Sequence, residues 1–285
     1  MLDVHLLEKL DYLKTSLRAQ LIKTSTHHSI IITGLSSEQH IIECLSVYMV
    51  GLIANAIQAN LSIRNDLLEE GIDGIIDLEE SIFELIGESN NLNRDFIEDE
   101  RNPWLAESII HLLLTIANDV ENLHPAGEII AVGLVHDDPK DKGLDLTALY
   151  LKGNIGLTIG ECKAYKLYPN KAVSKAVGFF DGIDENKKMG KRIRTQVQIM
   201  RQLLSSDLSS MVTHGFWRQE RCFLTSLIYD NSIQKDWSKA RRSMQKLNVP
   251  VDKRIIIPIY LDDFSGFFDK LSDEMRDYVR SLKDV

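Results

Sequence analysis

LDLTALYLKGNIGLTIGECK, residues 144–163, reads as two apolar strands joined by a short polar link. Residues 155–163 alternate between large apolar and small residues, the period-two signature of an extended segment with one buried face. Lys152-Gly153-Asn154 suits a tight hairpin loop. A three-residue loop sets Leu151 opposite Ile155, Leu149 opposite Leu157 and Thr147 opposite Ile159, and it brings Asp145 opposite Glu161. On the reverse face Tyr150 then covers Gly156, a favourable aromatic-over-glycine pair. A two-residue loop would shift the register and move Asp145 off the face of Glu161.

The apolar face of the second strand thus runs through Ile155, Leu157 and Ile159 into Glu161 and Lys163. Buried charges are costly unless paired or bound to a metal. Two carboxylates on directly opposed residues repel, and a divalent cation between them reverses the sign of that interaction. Mg²⁺ suits such a position, because it takes one or two carboxylates together with waters and a phosphate oxygen. Lys163, on the same face, can orient a water or stabilise developing negative charge. These are the parts needed to hydrolyse a phosphodiester.

Outward from the hairpin, EIIAVGLV at 128–135 predicts a preceding strand. Helices are expected near 171–181 and 188–205, strands in RCFLTSLIYD and KRIIIPIYL with a helix near 235–246 between them, and a last helix over 264–283. The order argues for an α/β fold with a mixed central sheet flanked by helices. Upstream, residues 1–100 read as a mainly helical N-terminal region, a candidate for partner or regulatory contact. Residues 3–22 carry apolar positions at helical spacing, HSIIITG suggests a short strand, and Ser36 with Gln39 has capping-box spacing before a long apolar helix. A further helix is expected in IDGIIDLEESIFELIGES. The polar stretch NNLNRDFIEDERNP ends this region, and residues 101–285 form the catalytic domain in this reading.

The 285 residues are 44% hydrophobic and 26% charged, ordinary for a globular protein. No apolar run approaches a membrane span and the start lacks a signal-peptide pattern, so a cytoplasmic location is expected. Cys44, Cys162 and Cys222 are an odd, dispersed set that fits a reducing compartment. The adjacent His27 and His28 lack the spacing of zinc ligands. A net charge of −9 argues against a simple DNA-binding module, so contact with nucleic acid needs a local positive strip, divalent ions or a partner.

Two further features bear on the chemistry. In the helix that follows Trp104, Glu107 shares a stripe with Ile110, His111 and Leu114, which makes it a candidate third carboxylate, with His111 read as a packing residue. The run KKMGKRIRTQVQIMRQ at 187–202 is the densest positive segment, and Lys187, Lys188, Lys191, Arg192 and Arg194 are candidates for phosphate-backbone contact. An acid-x-Lys tripeptide alone carries little information. Asp138-Pro139-Lys140 and Glu185-Asn186-Lys187 also occur, in polar surroundings.

Gly143-Leu144-Asp145 followed by an apolar strand ending Gly160-Glu161-Cys162-Lys163 resembles the PD-(D/E)xK nuclease superfamily. The resemblance covers about 104–205 well and the later strands loosely. It departs from the family pattern at Leu144, where proline would precede the aspartate. The resemblance implies a restriction-endonuclease-like core, with Asp145 and Glu161 as metal ligands, Lys163 as the catalytic lysine, and Glu107 as an additional ligand or water-orienting acid. It also implies Mg²⁺ or Mn²⁺ as cofactor and DNA as substrate. Gln196 and Gln198 are similar to glutamines that some members place near the metal. More narrowly, the helical N-terminal region, acidic helix, GxD strand and GECKAY are similar to the nuclease subunit of Hachiman antiphage defence, which implies a helicase/ATPase partner. A stand-alone restriction endonuclease and a non-catalytic, nuclease-like partner-binding subunit are the alternatives.

Overall fold

The hairpin forms in the register its apolar pattern requires. In the computed structural model, which describes residues 2–54, 72–136, 143–183, 187–213, 215–233 and 237–284, the strands are β1 (Arg18–Lys23), β2 (His28–Thr33), β3 (Glu128–Val132), β4 (Leu146–Lys152), β5 (Asn154–Ala164), β6 (Arg221–Asp230) and β7 (Arg254–Leu261). Strands β4 and β5 pair antiparallel with Leu151 opposite Ile155, Leu149 opposite Leu157 and Thr147 opposite Ile159. Gly153 takes φ +76° in the loop, a conformation that favours glycine. The Tyr150 ring lies directly over Gly156, where any Cβ would collide with it.

All seven strands join one mixed sheet in the order β1-β2-β7-β6-β5-β4-β3. Its centre is parallel, β2 with β7, β7 with β6 and β6 with β5, and both edges are antiparallel. Strand β6 is buried along all of its length, as expected of a strand covered on both faces.

Helices α1 (Leu2–Ser16), α2 (Gln39–Ile53), α3 (Ile72–Ile86), α4 (Asn102–Thr115), α5 (Pro169–Asp181), α6 (Lys187–Gln202), α7 (Ser206–Met211), α8 (Trp237–Met244) and α9 (Phe264–Ser281) cover the sheet. The two faces have separate cores. Ile155, Leu157 and Ile159 pack with Val173 and Val177 of α5, Ile193 and Val197 of α6, and Met244 of α8. Leu146, Ala148, Tyr150 and Cys162 pack on the other side, among side chains of α1, α2, α3, α4 and α9. Each fully buried leucine or isoleucine contributes about 2 kcal/mol, so alternation along one strand commits it to two helical layers at once.

The N-terminal region departs from expectation in two places. Helix α1 stops at Ser16, and residues 18–23 form strand β1 instead of continuing the helix to 22. Ala19 and Leu21 point toward the core while their neighbours are exposed, and the whole strand pairs with β2. Tertiary pairing outweighs the helical spacing here. The expected capping box is also absent. Helix α2 begins after Glu38 with no side-chain cap, and Ser36 accepts only the Glu38 N–H, at 3.4 Å. Because β2 pairs with β7, residues on both sides of position 100 share one sheet and one core.

Candidate metal centre

The charged end of β5 lies just past the point where its ladder with β4 stops, at Leu146 opposite Gly160. Asp145 precedes that last rung. Its Oδ2 accepts the Cys162 backbone N–H at 2.8 Å and lies 3.4 Å from Lys163 Nζ. The carboxylate thus continues the hairpin's pairing by one side-chain bond and is held beside the lysine. Lys163 Nζ also meets Glu161 Oε1 at 2.6 Å. Asp145, Glu161 and Lys163, inferred from the hairpin register, are therefore brought together.

Glu161 is 8% exposed, and its second oxygen, Oε2, is buried without a hydrogen-bond partner. Burial and then the nearby Asp145 push its carboxyl up to about 7, with Lys163 opposing. Glu107, from the second turn of α4, is raised well above the carboxylate range, first by burial and then by Asp145, with Glu161 adding to it. For Lys163, burial favours the neutral amine, but Asp145 and Glu161 outweigh it and hold the ammonium charged. Three acids around one lysine resist ionising together, and a bound cation would relieve that repulsion.

Sequence reasoning missed His136. Ligand atoms of Glu107, His136 and Asp145 all lie within 4.8 Å of one another. His136 Nε2 sits 2.6 Å from the Leu144 carbonyl oxygen. A carbonyl only accepts, so Nε2 carries a proton in this contact. Trp104 Nε1 donates to the His136 carbonyl at 3.1 Å, tying this segment to the start of α4. The one available signal was position: His136 directly follows the apolar run of 128–135. Gly143 is required beside it, since a Cβ there would strike the His136 ring and the Arg192 guanidinium.

His111 is fully engaged in packing, with Nδ1 2.7 Å from Tyr48 Oη and Nε2 3.0 Å from the Gly133 carbonyl. Cys162 faces the opposite core, and burial raises its thiol well above the ordinary value, a poor setting for a nucleophile. The basic run divides by helical position. Arg192 is part-buried and reaches the Gly143 turn, whereas Lys191 and Arg194 are exposed on α6. The side chains of Lys187 and Lys188, and the residues of Asp138-Pro139-Lys140 and Glu185-Asn186, lie outside the described residues. Gln196 Oε1 is buried without a hydrogen-bond partner, near Gly133; Gln198 is exposed.

No protein-family model matches the sequence, and a search of curated proteins finds no match. No helix among the described residues is long and apolar enough to cross a membrane.

Proposed function

We propose that the protein is a divalent-metal-dependent nuclease of the PD-(D/E)xK type that hydrolyses phosphodiester bonds in DNA. The observation that carries this reading is the convergence of Asp145, Glu161 and Lys163 at one strand end with Glu107 beside them, leaving a buried carboxylate oxygen of Glu161 unpartnered. A hard cation fits this donor set, since carboxylate oxygens suit Mg²⁺ and Mn²⁺. Glu107 and Asp145, whose ligand atoms cluster with one of His136, would hold it together with Glu161 through its unpartnered oxygen. When bound, such an ion acts as a Lewis acid and makes a coordinated water a better nucleophile at neutral pH.

The chain's own groups have distinct parts. Asp145 is fixed by the Cys162 N–H, so its orientation does not depend on a ligand. Lys163, held charged, is placed to orient the attacking water and to offset charge developing on the phosphoryl oxygens. Arg192, over the Gly143 turn, supplies a second positive group at the rim. The acidic balance of the whole chain fits an enzyme that works with a helicase/ATPase partner, in a bacterial antiphage setting.

Incubation with supercoiled plasmid, with and without Mg²⁺ and with any co-encoded neighbour, tests the reading. Divalent-dependent cleavage is expected, and Lys163→Ala or Glu161→Ala should lower it by about a hundred- to a thousandfold, the scale of losing a main transition-state contact. Full cleavage by both folded variants would end the assignment. Cleavage at one defined sequence without partner or ATP would favour a stand-alone restriction endonuclease. Unimpaired biological activity with Asp145 and Lys163 both replaced would favour a partner-binding subunit.

A further inference from the structure

The sheet face that carries Glu161 and Lys163 is covered by α5, α6 and α8, and its positive charge extends well beyond residues 187–202. From Cys162 to Phe180 the chain contains Lys163, Lys166, Lys171 and Lys175 and no acidic residue. From Trp237 to Val251 it contains Lys239, Arg241, Arg242 and Lys246, again with no acid. Helices α5 and α8 pack together, with Ser174 Oγ 3.2 Å from Ser243 Oγ, so the two segments form one surface. Lys171, Lys239, Arg242 and Lys246 are exposed and make no ion pair among the described residues. On the other side of the sheet, α3 carries Asp73, Asp77, Glu79, Glu80 and Glu84 and no base. The net charge of −9 thus averages over segments of opposite sign on the two sides of the sheet.

This basic surface begins at the candidate centre. The loop from Tyr165 to Tyr168 leaves β5 directly after Lys163 and leads into α5. Tyr165 is pinned, because Lys175 Nζ donates to its hydroxyl at 2.8 Å and lies 5.3 Å from its ring centroid. Its neighbours are not: Leu167 is 49% exposed and Tyr168 is 67% exposed. An exposed aromatic ring five residues from the catalytic lysine, bordered by unpaired cations, matches a ligand that offers both phosphates and bare base faces. A duplex hides its base faces within the stack, whereas an unpaired strand presents them.

We propose that the α5–α8 surface binds a single DNA strand, with Tyr168 stacking on a base, and that the strand delivered to Asp145, Glu161 and Lys163 is therefore unpaired. What happens to the strand rests on the nuclease reading above, but its binding does not. Fluorescence anisotropy of the full chain in EDTA, with a labelled oligothymidylate and with a duplex of equal length, tests binding apart from cleavage. The single strand binds more tightly than the duplex. Tyr168→Ala weakens single-strand binding by about tenfold and leaves the duplex unaffected. Lys171→Ala and Arg242→Ala each lower the dependence of log affinity on log salt by about 0.7. All three side chains are exposed, so melting temperatures stay at the wild-type value. Preference for duplex, undiminished single-strand binding by Tyr168→Ala, or no binding of either probe would overturn the proposal. Strand binding with these dependences but no cleavage under any divalent ion would overturn the nuclease reading and leave this surface standing.

Discussion

The two ends of β5 solve opposite problems. At the hairpin end, Ile155, Leu157 and Ile159 are buried, every rung of the ladder with β4 is made, and the loop takes the backbone shape glycine allows. Eight residues later the same strand buries Glu161 against Asp145, leaves one carboxylate oxygen unpartnered and raises the carboxyls of Glu161 and Glu107. The first arrangement lowers the free energy of folding and the second raises it. Local rules that agree at one end and conflict at the other mark where folding stability has been given up, at the site of the proposed chemistry.

The largest effect that tests this contrast is at Leu157. It is fully buried in the α5–α6–α8 core, so Leu157→Ala should cost about 3 kcal/mol in urea denaturation. Lys163→Ala should cost much less at neutral pH, although it removes one partner of a buried pair. Without the lysine, Glu161 takes up a proton more readily, and Asp145 keeps the hydrogen bond from the Cys162 N–H. Equal destabilisation by both changes would make the charged end a structural clasp, and the contrast would fail.

A smaller effect comes from pH. The unfolded chain releases the Glu161 proton near 4.5, while the folded protein keeps it until about 7. The stabilisation from this group is present below the unfolded value and is lost as pH rises through the folded one. Metal-free stability should therefore fall with rising pH, by about 2 kcal/mol between about pH 5 and 7. Glu107 is shifted in the same direction and adds to the trend. Thermal melts in EDTA should show the decline, Glu161→Gln should flatten it, and Mg²⁺ should oppose it by binding the charged carboxylates. A melting temperature that rises over this range in EDTA would show that the acids are not held apart from water as described.

What could be read from sequence follows the range of the physics involved. The register of β4 against β5 was legible because period two and a three-residue loop are local, and it carried Asp145, Glu161 and Lys163 with it. Strands β6 and β7 were legible from their largely apolar runs. Strand β1 was not, because Leu13, Leu17 and Leu21 fit one helical stripe, and only pairing with β2 makes 18–23 extended. His136 was hidden for a related reason. Its place beside Asp145 depends on contacts with Trp104 and Leu144 that no short window of sequence contains. The basic surface was half seen, since the densest run draws attention to α6, while the lysines of α5 and the arginines of α8 are joined only by helix packing.

The smallest test lies in the loop. Nothing approaches within 4 Å of a Cβ placed on Gly153, so Gly153→Ala introduces no clash, only the strain of a positive φ. The cost should be about 1 kcal/mol, and Gly153→Asn should cost less because asparagine tolerates that region. Divalent-dependent cleavage should be unaffected by either change, since β5 also keeps its register through the parallel ladder with β6, which runs from Leu157 to Ala164 and includes both Glu161 and Lys163. A loss of cleavage in Gly153→Ala with its fold intact would mean that the loop sets the position of the acids. The two ends of the strand would then be a single mechanical unit, and the separation of stability from chemistry along β5 would not hold.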